Sequence, residues 1–124
     1  MGYRSNVAYT IRFRDAGKFF LFVGGAQNNE TTQEAIAECE INKEKWQINF
    51  LANDVKWYAP QSHEALLAAA DVWIEDDMRT KEYTNMGYVF LRIGEDTRDI
   101  EERCNGDYNW DWLYVSREII GDWI

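Results

Sequence analysis

Residues 6–14, Asn-Val-Ala-Tyr-Thr-Ile-Arg-Phe-Arg, place Val7, Tyr9, Ile11 and Phe13 on one side of an extended chain and Arg12 and Arg14 on the other. A period of two in β-branched and aromatic residues demands a half-buried strand, and therefore a sheet to carry it. Trp46-Gln47-Ile48-Asn49-Phe50 repeats the pattern with Trp46, Ile48 and Phe50 inward. Residues 55–58 extend or rejoin the sheet after an Asn53-Asp54 turn. Residues 88–94 read as a strand after an Asn85-Met86-Gly87 turn, and 112–116 as the last strand, ahead of an apolar tail of Ile119, Ile120, Trp123 and Ile124.

A period of 3.6 governs residues 62–77. Ser62 follows the only proline, Pro60, as a candidate N-cap, and Leu66, Ala69, Ala70, Trp73 and Ile74 share one helical face. Glu75-Asp76-Asp77 at the helix end oppose its dipole, and Arg79 and Lys81 follow to compensate. A shorter helix is predicted after the capping-box spacing of Thr31 and Glu34, with Ala35, Ile36 and Cys39 on its apolar side, ending near Asn42. Residues 15–24 read in two ways. Asp15-Ala16-Gly17-Lys18 suits a hairpin into a second strand, and an Asp15 N-cap suits a short buried helix. The order of elements predicts one α+β domain over 1–124: an antiparallel sheet of four to five strands with two helices packed on one face.

Composition supports a folded single domain. The 124 residues are 46% apolar and 15% aromatic, which excludes a disordered tail. No apolar run approaches the ~20 residues of a membrane span, so no membrane partner is expected. The two cysteines, Cys39 and Cys104, are too few for a secreted disulfide framework and read as reduced thiols, one in a helix and one in a loop. The first residues predict neither a signal peptide nor a myristoylation site, since Asn6 stands where a hydroxyl is required. A cytoplasmic location is the expectation.

Charge is distributed unevenly. The formal net charge is −9; residues 1–61 hold seven acids and seven bases, and residues 62–124 hold fifteen acids and six bases. Glu95, Asp96, Asp99, Glu101, Glu102, Asp107 and Asp111 stand against only Arg98 and Arg103, in what reads as an acidic connection of about 15 residues, long for a compact domain. Direct nucleic-acid binding is not expected from such a surface.

Motifs for chemistry are weak. With one histidine, His63, and two thiols, no zinc set is complete. Asp107, Asn109, Asp111 and Glu118 imitate the spacing of a calcium loop, but Trp112 stands where its glycine is required. The paired carboxylates lack anything that would raise one pKa. Neither a G-x-S-x-G nor a phosphate-binding loop is present, and no cofactor or catalytic residue is assigned. Tyr108, Trp110 and Trp112 interleave with acids, which reads either as the composition of an anchored interface or as a strand with Trp110 and Trp112 inward and the acids outward.

Three segments carry a resemblance: Met1-Gly2-Tyr3-Arg4-Ser5 with Val7; Asp54-Val55-Lys56-Trp57-Tyr58; and Arg92-Ile93-Gly94-Glu95-Asp96 with Asp99-Ile100-Glu101-Glu102, followed by Leu113-Tyr114-Val115-Ser116-Arg117. Together they resemble small accessory proteins of tailed bacteriophages and prophages. The resemblance brings no activity or catalytic residue with it. It implies a protein acting in the bacterial host cytoplasm, where many small acidic phage proteins bind and block a host factor. Combined with the charge, it predicts a non-enzymatic interaction module with Glu75, Asp76, Asp77, Glu95, Asp96, Asp99, Glu101, Glu102, Asp107, Trp110 and Asp111 as its surface. That surface would dock on a basic host protein, a nucleic-acid-binding or defence factor, as an anti-CRISPR-like inhibitor or nucleic-acid mimic. The alternatives are a ligand-binding or enzymatic domain with a carboxylate-lined pocket, and a self-associating structural protein, for which a homodimer is the simplest form.

Overall fold

In chain order the elements are β1 (Ser5–Phe13), α1 (Ala16–Gln27), α2 (Gln33–Ala37), β2 (Glu40–Asn42), β3 (Gln47–Val55), α3 (Gln61–Thr80), β4 (Met86–Gly94), β5 (Ile100–Gly106), a 3-10 turn (Trp110–Trp112), β6 (Leu113–Ser116) and β7 (Glu118–Gly121). They come from a computed structural model that describes residues 3–58, 60–80, 84–96, 98–116, 118–121 and 123. Five strands form an antiparallel sheet in the order β2-β3-β1-β4-β5, and β6 and β7 form a separate two-stranded ribbon. The α+β class and the antiparallel sheet are as the sequence implies.

β1 is central and is buried on both faces, not one. Val7, Tyr9, Ile11 and Phe13 pack beneath the helices with Phe19, Phe22, Leu66, Ala70 and Ile74. On the opposite face Ala8 joins Val89, Leu91, Leu113 and Ile119, because the β6–β7 ribbon covers that side. Thr10, also fully buried there, is satisfied by donating to Asn49 Oδ1 at 2.6 Å. Arg12 stacks its guanidinium 4.7 Å from the centre of the Trp112 ring.

Residues 15–24 resolve as helix. The Asp15 carboxylate accepts the Lys18 N–H, and Phe19, Phe22, Val23 and Ala26 recur at i, i+3, i+4 and i+7 on the buried side. This is a third helix where two were expected. α2 stops at Ala37, short of Asn42, because Glu40–Asn42 pairs with β3 as an edge strand. Its N-cap residue is Thr32, not Thr31, and the Thr32 hydroxyl donates to Ala26 O at 2.7 Å, tying α2 to the end of α1.

The Asn53-Asp54 turn is instead part of β3. Asp54 has φ of 54° beside a bulge, where β1 pairs Ser5 with Val55 and Val7 with Ala52. Met86 and Gly87 likewise belong to β4 and not to a turn. The acidic connection is largely β5, which places Cys104 in a strand, while Cys39 lies just beyond α2. The last strand begins at Leu113, since Trp112 closes the 3-10 turn. Of the apolar tail, Ile119 lies buried in β7; residues 122 and 124 lie outside the described residues.

Candidate functional site

The predicted acidic surface is divided by the fold. On β5 successive side chains face opposite ways. Glu101 and Arg103 share the helix-covered face with Phe90 and Arg92, and Glu102 shares the other face with Leu91. Arg92 draws two of the acids inward: its guanidinium donates to both oxygens of Asp99, at 3.1 and 2.8 Å, and to Glu101 at 3.2 Å. Arg92, and then the Tyr3 hydroxyl at 2.7 Å, holds the Asp99 carboxyl below the usual carboxylate range. Glu95 accepts the Arg4 N–H, Asp96 accepts the Arg98 N–H, and Asp107 is ion-paired with Arg14.

On α3, Asp76 pairs with Arg79. Asp77 is buried, 7% exposed, and bonded to Lys18, so it is not a surface residue. Glu75, Glu102 and Asp111 are exposed, with no cationic partner among the described residues. Trp110 opens the 3-10 turn, and its side chain lies outside the described residues.

A different set of residues converges where α2, β3 and the start of α3 meet. There a cleft of about 390 Å3 is lined by Glu34 and Glu38 on one side, Phe50, Ala52 and Trp57 on another, and His63 at its base. The Ser62 hydroxyl fixes the approach by accepting the Ala35 N–H at 2.8 Å; this bond replaces the N-cap role expected of it. His63 is 3% exposed and is held among rings, 4.4 Å from Phe50, 5.4 Å from Trp57 and 5.8 Å from Tyr9 between centroids.

Both imidazole nitrogens are engaged. Nδ1 lies 2.7 Å from the Tyr9 hydroxyl, and Nε2 lies 3.1 Å from Glu38 Oε2. A carboxylate only accepts, so Nε2 carries the proton of the neutral ring and Nδ1 accepts from Tyr9, an assignment made from the partners. Burial, and then Cys39, pushes the Tyr9 phenol far above its ordinary value, so its O–H stays a donor. Burial also pushes the Cys39 thiol up to about 11; it lies 3.4 Å from the Tyr9 oxygen and donates to Ala35 O at 3.2 Å. A thiol held protonated in this way is not poised as a nucleophile. The Tyr9–His63–Glu38 chain therefore orients a carboxylate at the cleft wall and offers no attacking group.

A larger and more open hollow of about 710 Å3 lies between the end of α3 and the end of β5, but its charged lining residues, Arg14 and Asp107, are bonded to each other. Among the described residues no group of three or more His, Cys, Asp and Glu side chains is placed to hold a metal ion.

The sequence reading missed Tyr9, Glu34, Glu38, Cys39, Trp57 and His63 as a group. Tyr9 and His63 are 54 positions apart, so only the pairing of β1 with its neighbours and the docking of α3 bring them together. The single local signal was a lone histidine three residues after Pro60, beside an aromatic pair at 57–58. Compared with known proteins, the chain matches no family model, no curated protein and no solved structure.

Proposed function

We propose that this protein is a binding module whose ligand enters the cleft between α2, β3 and the start of α3. The observation that supports it is one concave site combining an aromatic wall, Phe50 and Trp57, with a carboxylate held in place by a buried histidine. Concave, mostly apolar sites with a few fixed polar groups are the usual form of small-ligand pockets. A mixture of small fragments added to isotopically labelled protein is expected to shift amide and indole resonances around Trp57, His63 and Glu38. Trp57→Ala should weaken the best fragment at least about tenfold. Shifts clustered elsewhere, or unchanged affinity in Trp57→Ala, would remove the cleft from consideration.

A second reading keeps the interaction module: a phage-encoded protein in the bacterial cytoplasm that docks on a basic host protein and blocks it. The observation that favours it is the set Glu75, Glu95, Asp96, Glu102 and Asp111, which remain exposed after internal pairing is counted. Complex formation with such a partner, captured from bacterial lysate, should weaken between low and physiological salt, and further with Lys at Glu95, Glu102 and Asp111. Asp99 and Glu101 are poor choices for this test, because changing them breaks the Arg92 network. Capture indifferent to salt and to those three changes counts against an acidic interface.

A further inference from the structure

Resting on the cleft as the binding site, we infer that its ligand is an organic monocation, an alkylammonium or guanidinium group on a short apolar stem. Glu34 and Glu38 lie one helical turn apart, and both side chains line the cleft. Glu34 has no hydrogen bond or ion pair among the described residues. Glu38 uses Oε2 for His63 and keeps Oε1 unengaged among the described residues, with its side chain 52% exposed. The imidazole N–H therefore fixes one carboxylate oxygen and leaves the other for a guest. The same cleft is lined by Phe50 and Trp57, their centroids 5.9 Å apart. An indole face attracts a cation, and more strongly when water is excluded.

The competing guest is an anion. The start of α3 and the exposed Lys56 at the lining both favour one, with a helix start contributing roughly half a positive charge. Against them stand two full carboxylate charges, so the balance remains negative. The Ser62 oxygen accepts the Ala35 N–H and its own proton can still be donated, which adds a neutral donor at the lining and does not change the sign of that balance. An apolar stem fits the remaining wall of Ala52, Val55 and the rings.

Calorimetric titration of the full chain with benzylammonium, benzyl alcohol and benzoate separates the outcomes. Benzylammonium is expected to bind at least tenfold more tightly than the other two, with the assigned Trp57 indole resonance shifting in parallel. Glu34→Gln with Glu38→Gln should abolish that preference while leaving benzyl alcohol unaffected. A glutamine still accepts from His63, and Glu34→Gln alone, which disturbs no bond, serves if the double variant folds poorly. Two further arms identify the source of the cation. A blocked Gly-Arg-Gly peptide binding more tightly than propylguanidinium supports a protein side chain as the guest, and the reverse order supports a free small molecule. Equal binding of alcohol and ammonium, or a preference for benzoate, overturns the cation and leaves the cleft standing. No change at Trp57 with any of the probes overturns both.

Discussion

Gly87→Ala is expected to lower the urea midpoint sharply, with a loss at or above the top of the ~1–3 kcal/mol that overpacking typically costs. Gly87 lies in β4 opposite Gly106 of β5. A Cβ at Gly87 would fall 2.4 Å from both the carbonyl carbon and oxygen of Asp107, and 2.8 Å from its nitrogen. These are backbone atoms, so no rotamer change relieves the clash. They are also held in place, since the Asp107 N–H donates to Met86 O at 3.0 Å. Gly106, with φ of 73°, makes the left-handed turn that folds Asp107 back over Gly87, a conformation that other residues rarely adopt. Gly24, in α1, has nothing within 4 Å of its would-be Cβ, so Gly24→Ala should instead raise stability by about 0.5–1 kcal/mol. An unchanged midpoint in Gly87→Ala would mean that β4 and Asp107 do not approach as described.

The elements that could be read directly are those whose side chains carry a clean period. β1, the centre of β3, β4 and α3 all announce themselves through apolar spacing, and each lies within a few residues of its expected place. β5 does not, for a physical reason. As an edge strand it needs no continuous apolar face, and its alternation is written in Glu101, Glu102 and Arg103. Its acids resemble a solvated loop until the cross-strand partner Arg92 is in view. α1 was ambiguous because Phe19 to Val23 is apolar throughout. The helical period emerges only when Phe20 and Leu21 prove 50% and 69% exposed.

The same limit applies to the sites. A run of carboxylates in sequence says nothing about which bases fold against it. Arg92, Arg14, Arg79 and Lys18 each neutralise an acid that sequence placed on a common surface. The cleft, conversely, has no run at all. Tyr9 is contributed by the central strand, Glu38 by the end of α2, and His63 by the first turn of α3. Nothing short of the tertiary fold places them within hydrogen-bond reach.

Lys18→Met should cost about 1–3 kcal/mol at neutral pH, the usual effect of taking a charged partner from a largely buried carboxylate, since Lys18 itself keeps 23% of its side chain exposed. Lys18 reaches from α1 to Asp77 of α3, which also accepts from the Thr84 hydroxyl at 3.2 Å and the Asn85 N–H at 3.3 Å. Burial acts to raise the Asp77 pKa, but Lys18 and the Asn85 N–H together outweigh it and hold the carboxyl below its ordinary value near 3.8. A carboxyl depressed in the folded state contributes stability above its unfolded pKa and loses it as pH falls through the folded value. In Lys18→Met burial acts with less opposition, the folded pKa rises, and the penalty of a charged Asp77 is relieved by acid. The stability gap between wild type and variant should therefore be widest near pH 7 and narrow below about pH 4, near the ordinary Asp value. Urea midpoints at pH 7 and pH 3 measure it. Removing both charges while keeping an acceptor for the Thr84 hydroxyl and the Asn85 N–H, Lys18→Met with Asp77→Asn, should recover much of the loss, because no charge is then left buried alone. A gap that is constant with pH, or a double variant no better than Lys18→Met, would show that Lys18 acts through its packing and that the pair does not join α1 to α3 by charge.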